Sequence, residues 1–384
     1  MRWSLSDPMV KGLVYQVVMI GLVAWLFGWL VSNTMHNLEV RKIASGFGFL
    51  SREAGLPIGD SPFIDYTPER SYLAALLVGV LNTLRVAVIG VVLATLLGTA
   101  IGIARLSRNW LLARCAHAYV EVMRNLPLLL QLLFWWALFR ESLPGPREAI
   151  RILETFFLSN RGFKYPVPVA DPAHGWALAG LVAGVVAAFV LARWARARQA
   201  ATGQQFPSAW AGLALVAGCP AIAFLASGAP LEWSRPALRG FNFVGGGTLT
   251  PEFAALLIGL VTYTAAFIAE IVRSGIQSVP HGQWEAASSL GLPRARVLRL
   301  VVLPQALRVI VPPMTSQYLN LTKNSSLAVA IGYPDLVSIA NTTMNQTGQA
   351  IEGVAIIMAV YLTISLSISL FMNWYNKRIA LVER

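Results

Sequence analysis

The chain has 384 residues, of which 56% are hydrophobic and only 12% charged, about half the charged share of a soluble domain. That balance excludes an ordinary soluble enzyme and points to a lipid bilayer. The formal charge of +12 would suit a nucleic-acid binder only if the basic residues shared one compact face, and here they sit between apolar runs.

Crossing lipid takes roughly 20 apolar residues. Runs 12–32, 86–104, 176–192, 208–229, 253–269 and 353–372 meet that length, and 116–139 and 305–321 are weaker candidates carrying Pro and polar residues. The expectation is an all-α polytopic membrane protein with about 8 transmembrane helices. Run 12–32 is too long for the apolar stretch of a signal peptide and lacks a small-x-small cleavage site, so it reads as an uncleaved anchor. Segments 33–71 and 140–175 are rich in Gly, Pro and charge and are expected to form loops or short surface helices, not a separate domain. Runs 176–192 and 208–229 make a hairpin around the basic turn RWARARQAATGQQFPSAW (193–210), removable without changing the orientation of anything downstream. Cys115 and Cys219 read as buried thiols and set no redox compartment. No internal repeat is evident.

Orientation follows from the positive-inside rule. With the N-terminus in the cytoplasm, segments 1–11, 105–117, 193–207, 273–308 and 373–384 lie inside. They carry Arg2, Lys11, Arg105, Arg108, Arg114, Arg193, Arg196, Arg198, Arg273, Arg294, Arg296, Arg299, Arg308, Lys377, Arg378 and Arg384 against only Asp7, Glu285 and Glu383. The outside segments balance Arg41, Lys42, Arg147 and Lys164 with Glu39, Asp60, Asp65, Glu148, Glu154 and Asp171.

The inside segment EAASSLGLPRARVLRLVVLP (285–304) divides at Gly291 and Pro293. Gly suits a helix end and Pro the first turn of the next helix, so helix, turn, helix is expected. On the second helix, regular α spacing puts Val297, Leu300, Val301 and Pro304 on one face and Arg296 and Arg299 on another. Physics alone leaves two readings open, a surface helix with arginines among headgroups or a docking element for a cytoplasmic partner.

Glu285-Ala286-Ala287, Gly291 six residues after that Glu, and Val301-x-Leu303-Pro304 resemble the EAA loop of ATP-binding-cassette importer permeases, with Val for the commoner Ile. Stretches 81–104, 119–134, 265–291 and 321–332 resemble permeases for polar amino acids, and the resemblance covers most of 72–375. The added span 12–32 and hairpin 176–229 are similar to the longer permeases of general L-amino-acid and glutamate/glutamine/aspartate systems. The resemblance implies that Glu285, Ala286, Ala287, Gly291, Leu292, Pro293, Arg296, Leu303 and Pro304 couple to ATPase subunits. It implies as partners two cytoplasmic ATP-binding-cassette ATPases, which hold the ATP and Mg, a second homologous permease making a heterodimer, and a periplasmic or external amino-acid-binding protein. No cofactor is expected on this chain. The location implied is the bacterial inner membrane with both termini cytoplasmic. Residues 1–71 would be the anchor helix and external loop. Residues 72–384 would be the importer transmembrane domain, with an inserted hairpin at about 140–250.

Ionisable groups within spans are costly and default to functional hypotheses. Glu270, three residues before Arg273, is a candidate for the substrate path or for a structural ion pair. Glu121 and Arg124 repeat that spacing with a stronger structural reading, and Arg85 is expected to snorkel. Thr262, Tyr263 and Thr264 could line a polar path, although Tyr263 is equally suited to packing. The densest polar cluster is Gln317, Asn320, Thr322, Lys323, Asn324, Ser325 and Ser326, after Pro312-Pro313. There Asn320, Lys323, Asn324 and Ser325 could meet a zwitterion's carboxylate or cap a buried helix end. No G-x-x-x-x-G-K-[ST] loop or nucleophile signature is present, and His36, His117, His174 and His281 show no metal-ligand spacing. A secondary, ion-coupled transporter of small polar solutes is the alternative. It predicts paired broken helices in inverted repeats, a symmetry the sequence lacks.

Overall fold

The computed structural model describes residues 8–40, 45–169, 171–228 and 232–379. Arg2, Asp7, Arg41, Lys42, Glu383 and Arg384 of the charge pattern lie outside the described residues. The chain divides into two compact units, Met1–Trp136 with Glu252–Arg384, and Ala137–Pro251.

Helix α1 (Pro8–Val40) is largely apolar between Lys11 and Asn33 and its described side chains are exposed. The next segment is tied to the core by charge. Asp60, 8% exposed, pairs with Arg85 of α2 (Tyr72–Ala104) at 3.1 Å, and the Arg85 guanidinium stacks 3.9 Å from the Phe253 ring centre. Arg85 therefore does not snorkel as expected. Its charge is neutralised inside the unit, which removes the cost that would drive it to the interface. Ser71 caps α2 by accepting from Ala74 N.

Helices α3 (Trp110–Asn125) and α4 (Leu128–Glu141) fall in one weak span of the sequence, and they are bent by 104°. Pro127 excludes α geometry at Leu126, which sits at φ −93°, ψ 131°. Gln131 Nε2 donates to the freed carbonyls of Met123 (3.0 Å) and Leu126 (3.1 Å), satisfying backbone that lipid cannot. Cys115 on α3 is exposed and Cys219 partly so. Neither thiol is buried as expected, because an apolar helix face toward lipid does not bury its side chains in protein.

Among its described residues the second unit holds eight short strands and two long helices. Strands β1 (Ile150–Ile152), β2 (Phe156–Ser159) and β3 (Gly162–Tyr165) form an antiparallel meander. Strand β4 (Val167–Pro168) precedes α5 (Pro172–Thr202) and α6 (Ser208–Ala226). Strands β5 (Trp233–Ser234), β6 (Ala237–Arg239), β7 (Asn242–Val244) and β8 (Gly247–Leu249) follow. β8 completes the sheet in the order β1-β2-β3-β8, and β4 pairs β5 and β6 pairs β7. Segment 140–175 thus holds strands besides the expected loops and a short 3₁₀ helix at Pro146–Glu148, and it lies in a compact unit of its own where no separate domain was expected. Its Ile, Phe and Tyr residues pair across strands, with Phe156 stacked on Phe163 at 5.9 Å. In the hairpin, Gly180 and Gly184 let α6 backbone approach so closely that a Cβ would lie 2.8 Å from Cys219 O and 2.5 Å from Leu215 O. This is the small-xxx-small contact by which membrane helices associate.

The first unit resumes with α7 (Pro251–Gln277), α8 (His281–Ser289), α9 (Arg294–Val297), a π-turn at Leu298–Val302 and α10 (Leu303–Asn324). α10 continues through Pro312 and Pro313. A 3₁₀ turn (Ser325–Ile331), α11 (Leu336–Thr347) and α12 (Ala350–Ile379) follow. α11 is a helix that the apolar runs do not anticipate. Asp335 starts it by accepting from Ser338 N at 2.8 Å. Among the described residues, 7 helices are long and apolar enough to cross a membrane, or up to 8 if the bent α3–α4 pair is one span.

Helix α7 is the hub of this unit. A Cβ on Gly98 of α2 would meet Ile268 Cβ at 2.6 Å, and one on Gly102 would meet Ala269 O at 2.7 Å. Val272 of α7 and Ala306 and Ile310 of α10 share one buried core.

Candidate coupling site

Two helix ends, those of α7 and α10, carry the segment between them as a bracket. α8 ends at Leu290, and Gly291 takes φ +71°, its N–H donating to Ser288 O at 2.9 Å. The left-handed conformation after a helix is the one glycine reaches without steric cost. Pro293 then starts α9, accepting from Arg296 N (2.8 Å) and Val297 N (3.1 Å).

The inner face of the bracket is apolar. Ala287, Val297 and Val302 are 5%, 1% and 0% exposed, with Val279 buried and Trp284 and Leu292 packed against them. The buried face does not follow the expected α spacing. Leu300 is 61% exposed and Pro304 is also exposed, while Val302 is buried. The π-turn accounts for this, because it places residues five apart, Val297 and Val302, on one side. Gln305 Nε2 spans the turn, donating to Val301 O at 3.0 Å and to Gln283 Oε1 of α8 at 3.4 Å.

The outer face is polar and open. Glu285, Ala286, Gly291, Pro293, Arg294, Arg296, Arg299 and Leu303 are exposed. Glu285 Oε1 and His281 Nδ1 lie 3.0 Å apart, and Leu290 is 80% exposed at the tip. Glu285, Ala286, Ala287, Gly291, Leu292, Pro293, Arg296, Leu303 and Pro304 thus fall on one contiguous bracket, with only Ala287 buried and Leu292 half-buried.

The remaining candidates do not converge. Glu270 accepts from Arg273 Nη2 at 2.5 Å and pairs with Arg105, which also lies 3.0 Å from His117 Nδ1. That ties α7 to the end of α2 and to α3. Glu121 and Arg124 form no ion pair among the described residues, and Arg124 instead stacks over Phe267 at 5.2 Å. Tyr263 packs against Phe267 at 5.0 Å, and Thr262 Oγ1 donates to Ile258 O at 2.7 Å. Ser325 is buried and donates to Thr322 O at 2.8 Å, while Asn320 and Lys323 are exposed and Asn324 half-buried. Among the described residues no three His, Cys, Asp or Glu side chains could hold a metal ion.

Residues 200–381 match the family described as binding-protein-dependent transport system inner membrane component. The chain is 50% identical over 383 residues to the general L-amino acid transport system permease protein AapQ of Rhizobium johnstonii, covering 100% of this chain and 96% of that one. It is 42% identical over 412 residues to the glutamate/glutamine/aspartate/asparagine transport system permease protein BztB of Rhodobacter capsulatus, covering 98% and 96%. A crystal structure of an amino acid ABC transporter with histidines matches 80% of this chain and 95% of its own at 21% identity and TM-score 0.47. Near-complete coverage at half identity leaves no doubt of kinship: the chain belongs to the binding-protein-dependent transport system inner membrane components, the permease subunits of ABC transporters.

Proposed function

We propose that the chain is the membrane-spanning permease of an ATP-driven amino-acid importer in a bacterial inner membrane. It supplies half of the translocation path, and a second, similar permease supplies the rest. An external amino-acid-binding protein delivers substrate, and two cytoplasmic ATPases drive the cycle. Residues 72–384 are the transporting domain, with the segment at about 140–250 inserted in it and both termini cytoplasmic. The observation that carries this reading is the bracket between α7 and α10. Its inner face is packed onto the two helices, and its outer face offers Glu285, Leu290 and three arginines to a partner. Closure of the ATPases on ATP would push the bracket and shift the permease between inward-open and outward-open states, by differential affinity for the two. Within the path, Asn320 and Lys323 suit a zwitterion's carboxylate by charge and hydrogen bonding. Tyr263, Asn324 and Ser325 shape its wall, and Glu270 holds it through arginine.

Gly291→Asp tests the reading. Asp tolerates left-handed backbone better than most residues, and no atom lies within 4 Å of the Cβ it would add, so the fold survives. The expected result is normal permease in the membrane, ATPase subunits missing from the purified complex, and no amino-acid uptake. ATPase retained at the wild-type level with unchanged uptake would sink it.

A further inference from the structure

The start of α11 is enclosed by three other elements. Asp335, which caps it, is 1% exposed. One carboxylate oxygen, Oδ1, accepts from Ser338 N at 2.8 Å, and the other, Oδ2, is buried without a hydrogen-bond partner among the described residues. Thr83 of α2 lies against the next residue, accepting from Leu336 N at 3.1 Å. Tyr361 of α12 faces Asp335, its hydroxyl beside those of Thr83 and of Ser325 in the 3₁₀ turn. That phenol oxygen is also buried and makes no hydrogen bond among the described residues.

The neighbouring hydrogens are spent elsewhere. Thr83 Oγ1 donates to Gly79 O at 2.9 Å and Ser325 Oγ to Thr322 O at 2.8 Å, and both residues are fully buried. Each hydroxyl keeps an open lone pair, and Tyr361 brings a single hydrogen, which serves one acceptor. Charge is unbalanced as well. Arg85, the one charged residue of α2, is paired with Asp60 at 3.1 Å. α11 and the 3₁₀ turn contain no charged residue, and Lys323 is exposed. On α12, Glu352 accepts from Gly46 N, while Lys377 and Arg378 stand roughly 24 Å along the helix beyond Tyr361. Tyr333 and Tyr361 beside Asp335 are neutral phenols. Burial pushes the Asp335 carboxyl up to about 7, the mark of a negative charge that the helix start alone does not compensate.

We propose that a monovalent alkali cation of the sodium class binds here, held by Asp335 Oδ2 with the hydroxyl oxygens of Tyr361, Thr83 and Ser325. Carboxylate and other oxygen ligands suit hard cations, and a single carboxylate balances a single positive charge. A water molecule would satisfy two acceptors and leave the charge. A proton would neutralise the charge and leave the hydroxyl lone pairs unserved. A cation answers both, and it joins α2, the 3₁₀ turn, α11 and α12 at one point.

The test uses the detergent-solubilised importer at pH 8, unfolded by heat in sodium chloride or in choline chloride of equal ionic strength. Sodium should raise the unfolding temperature saturably, by about 2–4 °C at about tenfold over its Kd. Asp335→Asn keeps a side-chain oxygen to cap α11 and should abolish the difference between the two salts. Tyr361→Phe should raise the half-saturating sodium concentration about tenfold, the scale of one lost polar contact. Thallium(I), an electron-dense monovalent probe, should give anomalous density between Asp335 and Tyr361 in wild-type crystals, a readout that needs no variant. Equal unfolding of the wild type in both salts overturns the proposal, as does a sodium shift that Asp335→Asn retains. Density missing there at saturating thallium overturns it too, because a proton or a water then fills the site.

Discussion

Deleting Leu300 is expected to leave the bracket as stable as before and to impair transport. Val297 and Val302 are 1% and 0% exposed. Five residues of regular α-helix rotate about 500°, which would turn the second valine roughly 140° from the first. The π-turn at Leu298–Val302 absorbs the additional residue and brings both inside. With Leu300 removed the valines are four apart, a rotation of about 400°, so an ordinary helix keeps both within roughly 40° of one face. The deleted side chain is itself 61% exposed, so little burial is lost, and stability should change by under about 1 kcal/mol. Val297→Ala, which empties a packed site, should by contrast cost about 1–3 kcal/mol. Deleting Val309, 48% exposed within α10, should be worse than either. No π-turn absorbs that loss, so Ile310 and the residues after it swing about 100° from the bracket's valines. Thermal unfolding of the purified complex ranks the three, and ATP-driven uptake in vesicles reads function. A π-turn that is easily removed yet present marks a functional position, so uptake should fall once Arg299 is carried to a new angle. If the Leu300 deletion destabilises more than Val297→Ala, the register argument is wrong. If it transports normally, the π-turn has no role in coupling.

Other outcomes follow from the same geometry. Gly98→Ala places a Cβ 2.6 Å from Ile268 Cβ and should cost about 3 kcal/mol, the upper end for overpacking. Gly21→Ala, with nothing within 4 Å of its Cβ, should raise stability by up to about 1 kcal/mol through helix propensity. Glu270→Gln leaves Arg105, only 8% exposed, without its carboxylate. It should cost about 1–3 kcal/mol, less than a fully buried pair because Glu270 is 28% exposed. Adding Arg105→Gln should restore part of that loss in thermal unfolding, which a purely local role for Glu270 would not produce. Lys164 is held below its ordinary value of 10.5 by burial and then by Arg161. The unfolded chain therefore binds the proton more tightly, and the strand unit should gain stability as pH rises toward 10.5. Limited proteolysis across that range should show protection increasing, and Lys164→Met should flatten the dependence.

The bracket is readable in sequence where a residue type has one local meaning. Gly291 and Pro293, two residues apart, mark a helix end and a helix start, and Glu285 beside them suits a surface facing water. The reading fails where meaning depends on what lies opposite. Regular α spacing assigns Leu300 to the buried face, and only packing against α7 and α10 selects the π-turn. Arg85 cannot be matched with Asp60 from sequence, because a loop residue 25 positions away carries no periodic signal. Segment 150–168 has too few residues per strand for alternation to stand out, and Thr248 of β8, the partner of Lys164, lies 84 residues downstream through two long apolar helices.

Hydropathy reports that a helix avoids water, not what replaces the water. Windows in α1 and α7 have the same mean hydropathy, 2.0, yet 0% of the first is buried within the unit and 61% of the second. Lipid tails and protein interior reward leucine alike, so the driving force for choosing between them must come from close packing. That signal lies in the small residues. α7 carries Gly259, Ala265, Ala266, Ala269 and Gly275 on its contact faces, and a Cβ on Gly259 would come within 2.5 Å of Leu132. α1 has Gly12, Gly21 and Gly28, but nothing stands within 4 Å of any of them. Glycine and alanine spacing thus locates the helix packed against protein, and it does so where hydropathy treats the two helices as equals.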